Sequence, residues 1–254
     1  MSTAKEVVLS AVSELFGDKD VAAIDRWVAA DYIQHNAALP DGRQGLVALM
    51  GDLGEDFGYE RHRVICDANI VALHGTYHGF GPQPVAAFDI FRVEDGMLVE
   101  HWDALQPKAE TTVSGRSETD GPSEVTDRDR TDANRELVTN LVQQFFIEGR
   151  GEIADYISAV QYHQHNPYIG DGLAGLAAGL AAFAAQGRNM AYATLHQTVA
   201  EGNFVLAVSE GTLGTTPTAF YDLFRVADGK IVEHWDITAD VPDADQMLHD
   251  NGLF

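Results

Sequence analysis

A single cysteine, Cys66, stands in the whole 254-residue chain, so no disulfide can form within it and no cysteine-based zinc site can be assembled. Cys66 lies in the apolar run Val64–Ile65–Cys66 and reads as a buried, inert thiol. Positive charge is scarce too. Sixteen Lys and Arg face 39 Asp and Glu, a formal net charge of −23, and only Lys5, Lys19, Lys108 and Lys230 are lysines. A surface this acidic repels phosphate backbones and anionic lipid, so no nucleic-acid partner and no membrane partner is expected. No apolar run reaches membrane-spanning length, and the N-terminal stretch lacks a basic region followed by a continuous apolar one. A cytoplasmic protein is the expectation. No GxGxxG follows a strand-like run, which leaves nothing for dinucleotide binding, and no Ser-His-Asp arrangement is legible.

What the chain does have is a repeat. DIFRVEDGMLVEHWD (89–103) returns as DLFRVADGKIVEHWD (222–236), identical at 11 of 15 positions. YIQHN (32–36) returns as YHQHN (162–166), and both run on to Asp-Gly and then Gly-Leu. The same landmarks in the same order over about 105 residues mean duplication of a whole domain, because solenoid repeats are far shorter. A hydrophobic content of 45% suffices for two cores. The expected organisation is domain 1 over 1–105, a linker over 106–130, and domain 2 with a short tail over 131–254. The linker contains no Ile, Leu, Met, Phe, Trp or Tyr, so it is expected to be flexible.

Each copy opens with helical periodicity: Val8, Leu9, Val12, Leu15 and Phe16 in the first, Leu137, Val138, Leu141, Val142 and Phe145 in the second. Second helices are expected over DVAAIDRWVAADY, with Asp20 as N-cap, and over GEIADYISAV; third helices cover GLVALMGDL and LAGLAAGLAAFAAQ. Four strand-like runs then follow in each copy, the last two joined at Glu94–Gly96 and Ala227–Gly229. Helices first and an antiparallel sheet afterwards define an α+β class.

Side chains alternate along a strand. With a three-residue loop at Glu94–Gly96 setting Val93 opposite Met97, Asp89, His101 and Asp103 share one face, as do Asp222, His234 and Asp236. Arg92, Glu100 and Trp102 then point the other way, Arg92 and Glu100 as a cross-strand pair. A two-residue turn would shift this register.

The pair YxQHN … DxFRVxDGxxVEHWD, behind three helices, resembles the SnoaL-like polyketide cyclases of the nuclear-transport-factor-2-like superfamily over both copies. That resemblance implies a tandem duplication of a cone-shaped domain, each with N-terminal helices packed on a strongly curved antiparallel sheet. It also implies an apolar ligand in the mouth of the cone, general acid/base catalysis without cofactor or metal, and an aspartate in the last strands as the base. Asp103 and Asp236 match that aspartate, tuned by Asp89 with His101 and by Asp222 with His234. Tyr32, His35, Asn36 and His74, and Tyr162, His165 and Asn166, are the candidate substrate contacts.

The family's outer sheet face commonly packs on a second copy, so Trp102 and Trp235 are expected to join the halves as an intrachain pseudo-dimer, with further homo-oligomerisation open. Aldol-type cyclisation, isomerisation, dehydration and hydrolysis all fit, on a small carbonyl compound. Two other readings stand beside these. The carboxylate–histidine sets serve equally as satisfied polar networks in a ligand-binding or dimerising module. A metal-dependent hydrolase is the third, with His74, His78, His35, His101 and Asp89 as ligands.

Overall fold

Thr3 starts the first helix by accepting from the Glu6 amide while the Glu6 carboxylate accepts from the Thr3 amide, a reciprocal pair that satisfies two otherwise free N–H groups. The helix, α1 (Ala4–Val12), buries Val7, Val8, Ala11 and Val12 and runs on through wider π-type turns over Ser13–Gly17. Beyond it lie α2 (Ala23–Trp27), β1 (Val28–Gln34), α3 (Gly42–Asp52), β2 (Gly58–Asp67), β3 (Ile70–His78), β4 (Val85–Glu94) and β5 (Met97–Pro107). These come from a computed structural model, which describes residues 3–254. The second copy repeats the order with α4 (Thr131–Asn140), π-type turns over Leu141–Ile147, β6 (His163–Gln164), α5 (Gly172–Ala185), β7 (Met190–Glu201), β8 (Phe204–Leu213), β9 (Thr216–Ala227) and β10 (Lys230–Asp240).

Each copy forms one five-stranded sheet, ordered β1-β5-β4-β3-β2 and β6-β10-β9-β8-β7. The α+β class and the duplication are thus as expected. One feature of the sheets differs: β1 and β6 run parallel to the last strand of their copy, so the sheets are mixed. The expected second helix of copy 1 accordingly shrinks to five residues. From Val28 onward the chain is extended, because fully buried Val28 pairs with Leu98 of β5, and β-branched side chains fit a pleated surface better than a helix. In copy 2 the counterpart is a 3₁₀ turn over Ile153–Asp155, after which Ile157 bridges to Ile231.

The last hairpin also differs from the three-residue loop. Asp95 and Gly96 both have positive φ (49° and 80°) and form a two-residue turn, with Glu94 opposite Met97 and Val93 opposite Leu98. The register then steps by one: Arg92 pairs with Glu100, leaving Val99 as a bulge. The bulge undoes the shift that the shorter turn introduces. Phe91 therefore faces His101, Asp89 faces Asp103, and all of them keep one face of the sheet. In copy 2 Asp228 and Gly229 (φ 50° and 72°) make the same turn, and Val232 is the bulge.

By compactness the chain divides into unit 1, Met1–Pro107 with Pro242–Phe254, and unit 2, Lys108–Val241. These boundaries differ from the expected linker and tail. Residues 108–130 lie on unit 2, where Glu118 and Thr119 are buried. Glu118 accepts from the Ala109 amide at 2.7 Å, Trp235 Nε1 donates to the Asp120 carbonyl at 2.9 Å, and the Thr126 amide donates to Asn203 at 2.9 Å. A segment without large apolar residues is ordered here by hydrogen bonds, that from Trp235 among them, which its own composition does not reveal. Among the described residues no helix is long and apolar enough to cross a membrane.

Candidate active site

The inner face of unit 1's sheet carries Asp89, Phe91, Leu98, His101, Asp103 and Leu105, and α1 with α3 closes over it. Between them is a cavity of about 370 Å³. Tyr32, Gln34, Asn36, Tyr77, Asp89, His101 and Asp103 supply its polar groups; aliphatic and aromatic side chains make the rest of the wall, and no Lys or Arg is among them.

His101 is held at both ring nitrogens. Nδ1 is 3.0 Å from Gln34 Oε1, and Nε2 is 3.4 Å from Asp89 Oδ1. The Gln34 oxygen also accepts from the Asn36 amide at 2.9 Å, which fixes the carboxamide with its acceptor toward the ring. Flanked by two acceptors, the imidazole satisfies both only when it carries both protons. Burial works against that charge, but the hydrogen bond that the ring donates to Asp89 and the nearby charge of Asp103 outweigh it, and the His101 pKa is raised.

Asp103 is held differently. Asn36 Nδ2 donates to it, 3.0 Å from Oδ1 and 2.7 Å from Oδ2. Burial raises its pKa, and the negative charge of Asp89 adds to the rise against the lowering by His101 and Asn36. Tyr77 donates to Asp89 Oδ1 at 3.1 Å, and burial together with Asp89 pushes its phenol well above the ordinary value. Asp89 Oδ2 is buried without a partner among the described residues, an open acceptor on the cavity wall of the kind that native interiors rarely leave unused.

Unit 2 reproduces the network. His234 lies 3.0 Å from both Gln164 Oε1 and Asp222 Oδ1, Asn166 donates to Asp236 Oδ2 at 2.7 Å, and Tyr192 donates to Asp222 Oδ2 at 3.1 Å. Burial raises the Asp236 pKa, helped by Asp222, and raises that of Tyr162; the His234 pKa is raised against burial by Asp222 and Asp236. What differs is space. The unit 2 cavity is about 70 Å³: Phe146 and Tyr192 stack on its wall with centroids 4.8 Å apart, and Phe220 backs Tyr192 at 4.4 Å. The position of Phe220 in the repeat is Ala87 in unit 1.

Of the residues singled out from sequence, Asp89, His101 and Asp103 come together with Tyr32 and Asn36, and Asp222, His234 and Asp236 with Tyr162 and Asn166. Three do not join them. His35 and His165 lie on the opposite face of the sheet, stacked on Trp102 and Trp235 at 4.8 and 4.5 Å. Each donates from Nε2 to Glu100 or Glu233 at 2.9 Å, and these carboxylates also accept from Arg92 and Arg225. Next to an inward Gln34 in an extended strand, His35 must point outward. His74 is likewise on the outer side, stacked on Phe88 at 4.4 Å and 3.0 Å from Arg63. The set His74, His78, His35, His101 and Asp89 is therefore not assembled as a metal site. The ligand atoms of Asp89, His101 and Asp103, and of Asp222, His234 and Asp236, do fall within 4.8 Å of one another. Apart from Asp89 Oδ2 and Asp236 Oδ1, their oxygens face the Tyr, His and Asn donors described above.

Gln34, Gln164, Tyr77 and Tyr192 complete the sites and were not singled out. The two glutamines stand inside the quoted YxQHN repeats, and their strict alternation with the neighbouring histidines is the signal that marks them. Tyr77 shares strand parity with Leu73, which faces Asp89 across the ladder; Tyr192 has no such marker.

A family model described as a SnoaL-like domain matches residues 9–101 and 138–234. No curated protein matches the chain. Among solved structures, TsrD from Streptomyces laurentii is 19% identical, covering 41% of this chain and 88% of that one with a TM-score of 0.36. An LEH-like epoxide hydrolase of M. tuberculosis is 22% identical over 41% of this chain and 82% of its own, at a TM-score of 0.34. An NTF2-like protein of unknown function from Cytophaga hutchinsonii is 17% identical over 42% and 93%, at 0.36.

Proposed function

Since the chain belongs to the SnoaL-like domain family, whose model covers most of both repeats, we propose that unit 1 is a general acid/base enzyme acting on a small, uncharged carbonyl compound. The observation that carries this reading is a carboxyl group of raised pKa, Asp103, on the wall of an apolar cavity of about 370 Å³. That volume is within the range of small-molecule sites, roughly 300–1,000 Å³. A wall with two aspartates and no Lys or Arg disfavours phosphates and carboxylates.

Asp103 takes a proton from the carbon next to the substrate carbonyl. The C–H bond breaks, its electrons move into the enolate, and the proton resides on Asp103. A carboxylate whose pKa is lifted toward the working pH is a stronger base than an exposed one. The doubly protonated His101 ring supplies fixed positive charge near the developing enolate, and its two acceptors hold it there without reorganisation. Asp89 Oδ2 accepts from a substrate hydroxyl. The enolate carbon then attacks a second carbonyl, whose π electrons move to its oxygen, and that oxygen takes the proton back from Asp103, giving an aldol-type closure; or the enolate regains the proton from Asp103 at another carbon, giving isomerisation. Both return the enzyme to its starting charge.

Unit 2 keeps the same polar network with room for only a few waters, so we assign it a supporting role. Hydrogen–deuterium exchange in D2O tests the central step: a cyclic or aliphatic ketone that fills the cavity should acquire deuterium beside its carbonyl, read by NMR. Absence of exchange across a ketone panel that demonstrably binds would favour the plain binding module instead.

A further inference from the structure

Two stretches outside the sheets stand in the same relation to the two sites. In unit 2, the Val113 amide donates to the Pro167 carbonyl at 3.0 Å, the Ser117 carbonyl accepts from His165 Nδ1 at 2.7 Å, and Arg116 bonds Asp171. In unit 1, the Leu248 amide donates to the Ala37 carbonyl at 3.0 Å, the Gly252 carbonyl accepts from His35 Nδ1 at 3.0 Å, and Asn251 Nδ2 donates to Asp41 Oδ1 at 2.9 Å. The contacts correspond one for one. The repeat thus extends past the last strand: the segment after β5 completes unit 2, and the segment after β10 completes unit 1.

In unit 1 the segment does more. Asn251 Nδ2 also donates to the Gln34 carbonyl at 3.0 Å, and His249 Nε2 to the Asn36 carbonyl at 3.0 Å. The Asn251 amide lies 3.3 Å from His249 Nδ1, so that nitrogen accepts and Nε2 carries the proton. Gln34 and Asn36 are the two residues whose side chains anchor His101 and Asp103. We propose that residues 248–252 are a positioning strap for the unit 1 site, with His249 and Asn251 gripping the main chain of the two residues that orient its acid/base pair. The strap is a light one. Leu248 is 59% exposed and residues 251–254 are only half-buried, so its hold comes from these few hydrogen bonds, and opening it is cheap compared with unfolding the sheet.

This role rests on the acid/base reading above, and the test separates the two. In the full chain, His249→Phe and Asn251→Ala are combined, with His249→Gln as the variant that keeps a donor. Amide exchange over residues 34–41 should quicken about tenfold in the double variant while that of β3 and β4 stays unchanged. With Asn36 loosened, Asp103 loses a donor that stabilises its charged form, so its carboxyl carbon, followed by NMR, should titrate at higher pH, and the acid limb of turnover should move the same way. His249→Gln should restore part of both. Unchanged exchange at 34–41, or an unchanged Asp103 titration, overturns the strap. Should both shift while Asp103→Asn leaves turnover intact, the strap stands and the acid/base reading falls.

Discussion

Tyr77 and Tyr192 occupy non-equivalent positions of the repeat, yet each places its hydroxyl 3.1 Å from the matching aspartate, Asp89 or Asp222. Tyr77 reaches from β3, the strand beside β4; Tyr192 reaches from β7, one strand further out. The repeat position of Tyr77 is Gly211 in unit 2, where a side chain would collide with the Ala191 carbonyl. The two halves have kept the hydrogen bond while exchanging the residue that makes it, so the donor matters to both networks.

Removing that donor from both halves distinguishes support from catalysis. A hydrogen bond to a charged group contributes about 1.5–3 kcal/mol, so Tyr77→Phe and Tyr192→Phe should each lower the denaturation midpoint by a comparable amount. Only Tyr77→Phe should also slow turnover. Equal effects of the two on turnover would contradict the assignment of catalysis to unit 1.

Much of this architecture is legible in the residues themselves, for reasons that also explain what is not. The 89–103 and 222–236 match gives the duplication, and strand parity puts Asp89, His101 and Asp103 on one face. The parity argument survives a wrong turn: the Asp95–Gly96 loop is one residue shorter than expected, and the Val99 bulge restores the register. A bulge leaves no reliable mark in one sequence, since Val99 suits a regular strand equally well. His35 and His74 look like site residues because histidine has the chemistry. Which face His35 takes depends on β1 being a strand, and β1 reads largely as helix; His74 stands on β3 next to Leu73, which faces Asp89 across the ladder, and therefore points the other way. The order in 108–130 arises from hydrogen bonds to a distant part of the chain, which local composition does not encode.

Replacing the carboxyl oxygens tests the base directly. Asp103→Asn keeps the shape and the neighbour Asn36 but cannot take a proton, and loss of a general base slows reactions by about 10²–10⁴-fold. Ligand affinity should stay within a few-fold. Asp236→Asn should leave turnover near that of the parent protein. Turnover lost in the second variant but kept in the first would move the chemistry to unit 2.

Stability should vary with pH in a direction set by four groups on the inner faces of the sheets. His101 and His234 titrate above the ordinary 6.5 in the folded state. Their contribution is complete below that value and is lost as pH rises through the folded pKa. Asp103 and Asp236 titrate above the ordinary 3.8, so the folded state binds their protons more tightly than the unfolded chain does, and stability again falls as pH rises through the raised values. Asp41 and Asp171 oppose this only in acid, because their lowered pKa values, set against burial by hydrogen bonds from Gln34 and Arg116, add stability above about pH 4. The thermal midpoint should therefore peak on the acid side of neutrality and decline toward alkaline pH. The variant carrying Asp103→Asn and Asp236→Asn should show a flatter decline, and a midpoint that climbs from pH 6 to 8 in the parent would refute the signs.

The cavity wall offers a test that spares the acid/base groups. Leu105 of β5 lines the unit 1 cavity two residues beyond Asp103, and its place in unit 2 is Thr238. Leu105→Trp fills much of the space at the same strand position. KM should rise by about tenfold or more, in line with the few kcal/mol that shape misfit costs, while the pH profile of kcat keeps its limbs. A ligand that still binds with parent affinity would have to sit elsewhere.

Trp235 shows how strongly the segment after β5 depends on the sheet it covers. Its side chain is fully buried, stacked on His165, with Nε1 donating to the Asp120 carbonyl at 2.9 Å. Trp102 is stacked on His35 in the same way but is only half-buried. Truncating a buried tryptophan to alanine costs about 3–5 kcal/mol, and a partly exposed one less. Trp235→Ala should thus lower stability markedly more than Trp102→Ala. Trp235→Phe separates packing from bonding: most of the ring contact is kept and the bond to Asp120 is lost. Trypsin cleavage after Arg116 should then accelerate while the sheet stays folded, because Arg116 is bonded to Asp171 only as long as the segment lies down. If the Phe variant resists trypsin as well as the parent does, the apolar face of the ring and the remaining hydrogen bonds hold the segment without Nε1.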